Sequence, residues 1–282
     1  MTAPDGAILE VTILGCGASG GVPRADGNWG ACDPADPRNR RSRCSLMVRR
    51  RSPEGPAAAT TLVVDAAPEF RLQAIAAGIR RLDALLLTHD HADQCHGLDD
   101  IRAFALTQRA RIPCWMDAET RASLFNRFGY VFVGEGFYPA IAEIRSAPAH
   151  GLAWEITGPS GPIPVLTFDQ DHGGVRSLGY RFGGIAYSSD LVDLPEASFA
   201  ALEGLDVWII DALRYTPHPT HAHVDKALAW IERVKPRRAI LTNMHIDLDY
   251  AELARRLPSG VRPAVDGMTI EHQLIPASPC ND

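Results

Sequence analysis

From residue 8 to residue 14 apolar and polar side chains alternate, and the alternation ends in Gly15-Cys16-Gly17-Ala18-Ser19-Gly20-Gly21. A period of two with one apolar face predicts a half-buried strand entering a tight loop. Apolar runs at 46–48 and 60–64 predict two more strands, the second ending on Asp65. Pro68 opens a helix, where its missing N–H is harmless in the first turn, with Leu72, Ile75, Ala76 and Ile79 on one face. Residues 82–87 read as a buried strand that feeds straight into Thr88-His89-Asp90-His91-Ala92-Asp93, and a helix follows from about Gly97 with Leu98, Ile101, Ala105 and Leu106 turned inward. The second half repeats this grammar, with short strands at 165–168, 178–182, 185–187, 207–210 and 239–241. Its clearest helix spans about 221–234, with Val224, Ala227, Leu228 and Ile231 as its stripe and Thr220 as its cap. Strands and helices mixed from end to end predict an α/β protein with helices packed outside its sheets.

Residues 22–43 break the pattern. They are rich in Gly, Pro, Asp and Arg without a sustained period, which predicts a long Gly/Arg-rich loop at about 15–45, a length usually reserved for functional lids or disorder. No other stretch divides the chain, so a single domain over 1–282 is expected. No apolar run approaches the roughly 18 residues that a membrane span requires, and residues 1–7 lack a cationic start followed by an apolar stretch. The expectation is a cytoplasmic protein without membrane attachment. Cys16, Cys32, Cys44, Cys95, Cys114 and Cys280 form no paired spacing, as suits reduced thiols.

A net charge of -6 speaks against a nucleic-acid polymer as partner, because such binding rests on neutralising several phosphates with a basic face. One local exception changes this picture: 38–51 holds seven arginines and no acid, in a chain whose only lysines are Lys226 and Lys235. The run reads either as surface charge in an arginine-favouring composition or as a phosphate-binding loop, with Arg38, Arg40, Arg41 and Arg43 as the substrate-binding residues.

The histidine run carries the chemistry. Extended spacing sends His89 and His91 to one side of the chain just after a strand, and Asp93 continues that spacing. Imidazole and carboxylate suit a borderline cation such as zinc or manganese, which lowers the pKa of a bound water to about 7.

Thr88-His89-x-His91-x-Asp93 followed by Gly97 resembles the signature of the metallo-β-lactamase superfamily. The resemblance covers nearly the whole chain: Asp65 stands where the family has a strand-end Asp, Asp171-His172-Gly173 carries the next metal histidine, and Tyr187-Ser188-Ser189-Asp190 the bridging aspartate. Gly15-x-Gly17, Asp36-Pro37-Arg38-Asn39-Arg40-Arg41 and Leu241-Thr242 most resemble the branch of phosphoribosyl cyclic-phosphate phosphodiesterases of the carbon-phosphorus lyase pathway. The resemblance implies an αββα sandwich of two mixed β-sheets flanked by helices. It further implies a phosphodiesterase that cleaves a small cyclic or nucleotide-like phosphodiester by metal-bound hydroxide, with one or two divalent ions, Mn2+ or Zn2+. A homodimer is compatible with it.

It implies a first site of His89, His91, His172 and Asp190, and a second of Asp93, Gln94, Asp190 and Asn243. Gln94 and Asn243 stand where the family has histidines. Amide oxygens there favour manganese or magnesium over zinc, or leave the second position poorly occupied. His245 and His96, each two residues beyond an altered position, are alternative ligands, although two residues on a helix turn the side chain by about 200°. The family's cysteine cluster for a structural zinc is missing, with Cys32 alone in that stretch. His221 corresponds to a family histidine thought to act as general acid; His223 and His218 are neighbours of the same type, and Asp93 belongs to the catalytic set as well. Asp65 reads as an acceptor that fixes a ligand or the histidine loop. The rivals are a thioester or lactam hydrolase, a tRNA-processing endonuclease, which an acidic chain without a basic arm disfavours, and a non-catalytic nucleotide- or metal-binding protein.

Overall fold

The structure, a computed structural model, describes residues 7–274. Cys280 and most of the chain's first seven residues, read above for their thiol and for a leader, lie outside the described residues. Six strands come first: β1 (Ile8–Gly15), β2 (Ser45–Arg50), β3 (Thr60–Val64), β4 (Ala84–Leu86), β5 (Ile112–Met116) and β6 (Ala142–Ser146). A second set follows: β7 (Ala153–Gly158), β8 (Gly161–Asp171), β9 (Arg176–Phe182), β10 (Ile185–Ser188), β11 (Val207–Asp211), β12 (Arg238–Thr242) and β13 (Val261–Pro263). The last strand, β14 (Thr269–Gln273), returns to the edge of the first sheet beside β1.

Each sheet has seven strands and the same plan, an antiparallel part followed by a parallel one. β1, β2 and β3 pair antiparallel and β3 to β6 parallel; β7 to β10 pair antiparallel and β10 to β13 parallel. A period of two decides which side chains meet. Leu9, Val11, Ile13, Leu46, Val48, Leu62 and Val64 join the core that also holds Phe168, Tyr180, Phe182 and Tyr187 of the second sheet. Met47, Val63, Leu85 and Leu87 face the opposite way, into a separate core under the helices. Each such aliphatic side chain, fully buried, contributes about 1.5–3 kcal/mol.

Helices α1 (Phe70–Ala76), α2 (Ala92–Cys95), α3 (Arg102–Gln108) and α4 (Ala118–Val133) accompany the first sheet; α5 (Ser198–Ala201), α6 (Val224–Val234) and α7 (Tyr250–Arg256) accompany the second. The four layers are the αββα sandwich that the resemblance implies. Among the described residues no helix is long and apolar enough to cross a membrane.

Three helix readings are corrected. Leu72 and Ile75 are exposed, and α1 buries Phe70, Gln73 and Ala74 instead, with the Gln73 amide donating to Arg43 O and Ser42 Oγ. Leu106 is exposed as well, because α3 starts only after a 3-10 turn at Leu98–Ile101 that shifts its facing. The helix expected from 221 starts at Val224 with His223 as its cap, which leaves His221 on the preceding loop.

Residues 15–45 form an ordered layer, not a free lid. Val22 and Arg41 exchange both backbone hydrogen bonds at 2.9 Å, and Ala31 N donates to Ile246 O. Asp266 closes the base, accepting from Cys16 N at 3.0 Å and Ser42 N at 2.7 Å. Gly15 is required for close approach, since a Cβ there would lie 2.1 Å from Arg43 O.

Candidate metal centre

The carboxyl ends of the parallel strands of both sheets open on one rim. Three residues there have positive φ without being glycine: Asp65 after β3 at 61°, Asp190 after β10 at 55° and Asn243 after β12 at 59°. Asp and Asn tolerate this left-handed backbone better than other side chains, at a cost of about 1–3 kcal/mol each. The turn it makes at each strand end redirects three polar side chains into one buried space.

Asp65 is fully buried and accepts from Thr88 N at 2.8 Å and Thr88 Oγ1 at 2.9 Å. Burial raises its carboxyl well above the usual range, against the lowering effect of those bonds. Thr88 Oγ1 in turn lies 3.0 Å from His89 Nδ1, which leaves Nε2 buried and without a partner. Burial also pushes the His89 imidazole down to about 4, so it is neutral and its free nitrogen carries a lone pair near neutrality. His172 is fixed the same way: Nδ1 meets Thr220 O at 2.6 Å, Nε2 faces His91 Nδ1 at 3.3 Å, and burial lowers its pKa. The ring centroids of His89, His91 and His172 are 4.4, 5.1 and 5.0 Å apart, and their ligand atoms lie within 4.8 Å of one another. An orphaned buried nitrogen on His89, a His172 whose outer nitrogen is engaged, and the exposed His91 beside them form a triad that fits a divalent cation.

Asp190 lies beside this triad, 2% exposed, and accepts from Ser189 Oγ at 2.5 Å. Burial would raise its pKa, but His89, His221 and His172 around it hold the carboxyl below the usual range. His172, Asp190 and His221 form a second triad within the same 4.8 Å. The remaining expected ligands are arranged differently. Gln94 turns its amide nitrogen to Asp190 Oδ2 at 2.8 Å, and Asn243 turns its own to Oδ1 at 3.4 Å. Asp93, on α2, stands outside both triads, its pKa raised by burial to about 6. His96 is exposed against the Phe128 ring, and His245 points to Arg24 with Nδ1 3.0 Å from Asp247; neither joins a triad.

His221 Nδ1 lies 2.9 Å from Asp211 Oδ2. Burial lowers the imidazole, but the charge and hydrogen bond of Asp211 outweigh it and raise the pKa to about 9, while burial raises Asp211 itself to about 6. At neutral pH the pair is ionised, with His221 protonated. Asp211 was not foreseen from the sequence, although it ends a buried strand just as Asp65 does. His223 caps α6 and is absent from both triads and from the cavity described next.

The four arginines expected to bind substrate are engaged elsewhere. Arg38 pairs with Asp36 at 2.6 Å and covers Tyr250, Arg40 lies over Trp29, and Arg43 pairs with Glu69 at 2.7 Å. Arg41 is 2% exposed and donates to Leu248 O at 2.7 Å, Asn39 Oδ1 at 3.2 Å and His245 O at 3.3 Å. The acids and carbonyls of Asp36, Glu69, His245 and Leu248 that complete most of these bonds lie outside the acid-free run, so composition alone does not show them. Arg24 and Arg214 face the site instead. With His218, His221, His245 and Ser19 they line a cavity of about 540 Å3 that has no carboxylate in its lining. Arg24 follows the glycine-rich opening directly, a placement that could have singled it out.

A family described as the beta-lactamase superfamily domain matches residues 60–246. The octanoyltransferase of Porphyromonas gingivalis (strain ATCC BAA-308 / W83) is 28% identical over 268 residues, which are 92% of this chain and 51% of that protein; the chain spans about half the length of this curated relative. Among solved structures, a new diphosphatase from the PhnP family superposes with a TM-score of 0.82 at 33% identity, covering 95% of this chain and 98% of that one. Zn(2+)-bound PqqB from Methylobacterium extorquens shares the fold, with a TM-score of 0.71 at 19% identity over 93% of this chain and 99% of that one. With the histidine and aspartate cluster at the shared rim of its two sheets, this chain belongs to the β-lactamase superfamily, as a hydrolase of the metallo-β-lactamase fold, which implies divalent metal ions.

Proposed function

We propose that this chain is a metal-dependent phosphodiesterase acting on a small phosphodiester or nucleotide-like substrate. The observation that carries this reading is the cavity beside the triad: two arginines and three histidines in its lining, no acid, and His221 standing between it and His172, whose ring centroid is 4.6 Å away. Guanidinium and imidazole donors suit phosphate oxygens. His89, His91, His172 and Asp190 would hold a divalent cation, which when bound would supply Lewis-acid stabilisation of a phosphoryl oxygen and a lowered water pKa.

The protein's own groups do the rest. Arg24 is held by the imidazole of His245 and binds a non-bridging oxygen. His221, kept protonated by Asp211, gives its Nε2 proton to the departing alkoxide, whose charge would otherwise develop unneutralised. His218, whose ring lies 5.2 Å from His221, borders the same space. The diphosphatase of the PhnP family supports phosphorus as the reacting centre. The buried free thiols Cys16, Cys32, Cys44, Cys95 and Cys114 fit a reducing, cytoplasmic setting, and the size of the cavity fits a small substrate better than a polymer.

Acyl chemistry at a carbonyl is the second reading, favoured by the octanoyltransferase relative, although that name belongs to a protein twice as long. The metal-loaded chain should be assayed on bis(para-nitrophenyl) phosphate, a ribosyl cyclic phosphate, a nucleotide with a diphosphate linkage and an octanoyl thioester. Turnover of a phosphorus substrate is the expected result. Turnover of the thioester alone would replace the proposal with the acyl reading.

A further inference from the structure

We infer that this chain holds one divalent cation, on His89, His91, His172 and Asp190, and that Gln94 and Asn243 take the place of a second by donating amide hydrogens to Asp190. A buried carboxylate must be balanced, and among the described residues the one ion-pair partner of Asp190 is His221, with Nδ1 3.9 Å from Oδ1, while no lysine or arginine pairs with it. At hydrogen-bond distance its oxygens are met by three neutral side-chain donors: Ser189 Oγ and Gln94 Nε2 on Oδ2 at 2.5 and 2.8 Å, and Asn243 Nδ2 on Oδ1 at 3.4 Å.

Gln94 presents its nitrogen, not its oxygen, to Asp190, and its Oε1 is buried without a partner. The main chain of Gln94 is pinned by Gln94 N to His91 O at 3.1 Å and Ala66 N to Gln94 O at 2.8 Å, and reversing its amide would set Oε1 against the Asp190 carboxylate. Asn243 directs Oδ1 toward the Cys44 thiol, 3.8 Å away, and its nitrogen into the centre, 3.1 Å from His221 Nδ1 and 3.4 Å from Asp190 Oδ1. Of the expected second-site ligands only Asp93 then remains beside Asp190, short of the four ligands a zinc site takes. The overlapping triad of His172, Asp190 and His221 does not supply another site. His172 has a single free nitrogen, since Nδ1 is committed to Thr220 O, and one lone pair serves one cation. His221 Nδ1 is committed to Asp211.

The test is a metal count. The full-length chain, stripped with chelator and titrated with Zn2+ or with Mn2+, is weighed by native mass spectrometry and checked by elemental analysis. Wild type should take up one ion, and the double variant Gln94→His/Asn243→His, which restores two imidazoles, should take up two. Two equally chelator-resistant ions in the wild type would overturn the inference, as would a double variant with native circular dichroism and melting that still holds one. Should the double variant fail to fold, the wild-type count decides alone. The count is independent of substrate: a chain that holds one ion and cleaves no phosphodiester contradicts the proposed function and leaves this inference standing.

Discussion

The centre is enclosed by two walls of different construction. One is made of strand ends: Asp65, Thr88, His89, His172, Asp190 and Asn243 are at most 3% exposed, and each is tied to a neighbour at hydrogen-bond distance. The other is made of loops, where Arg24 is exposed and His218, His221 and His245 are half-buried. A cation tolerates little error in its ligand geometry, so His89, His172 and Asp190 belong to the rigid scaffold and only His91 among its expected ligands is exposed, while substrate recognition is left to longer side chains on loops.

The sharpest way to break this division is His172→Ala, which removes a nitrogen from the rigid wall. It should lose the ion and about 1000-fold or more of the activity, since the ion supplies several kcal/mol of charge stabilisation at 1.4 kcal/mol per decade. Elemental analysis alongside turnover checks it, and full metal retention would remove His172 from the ligand set. On the loop wall, His221→Ala should keep the ion and lose about 100- to 10,000-fold on alkyl or ribosyl leaving groups. Nitrophenyl diesters, which depart without a proton, should change little, and His223→Ala should resemble wild type on both. A parallel fall on both substrates would mean that His221 positions rather than protonates.

Asp65→Asn tests whether rigidity itself matters, because Asp65 reaches the cation only through Thr88 and His89. A chelator-competition measurement should find metal bound about 10- to 100-fold more weakly, and an unchanged affinity would show that His89 needs no such support. The smallest effect is expected of Arg24→Ala: KM for phosphodiesters up about tenfold, as for one lost charge-assisted hydrogen bond, with kcat and metal content kept. Arg40→Ala should alter neither constant, and a raised KM there would return the acid-free run to the site.

Much of the rigid wall was legible in the sequence, because strand ends are marked by the residues that follow them: Asp65 after 60–64, His89 and His91 after 82–87, Asp190 after 185–187. A buried strand followed at once by a polar group capable of ligation is a local signal. The loop wall has no such signal. Arg41 and Arg24 belong to the same loop and the same residue type, yet one is buried among carbonyls of 245–248 and the other lines the cavity, a difference set by contacts some 200 residues distant in sequence. The amide orientation of Gln94 and Asn243 was hidden for the same reason, since which end faces inward depends on Asp190 and on the Cys44 thiol. Helix faces were misjudged where a 3-10 turn or a buried Gln73 shifted the register of the stripe.

Arg41 has a further consequence. Its guanidinium holds carbonyls of His245 and Leu248, while its own main chain is paired with Val22. The entrance loop and the segment after β12 are therefore a single cooperative unit of local unfolding, and their amides should exchange with solvent deuterium together rather than loop first. A loop opening that breaks these bonds also frees the segment that follows Asn243, the residue whose amide meets Asp190.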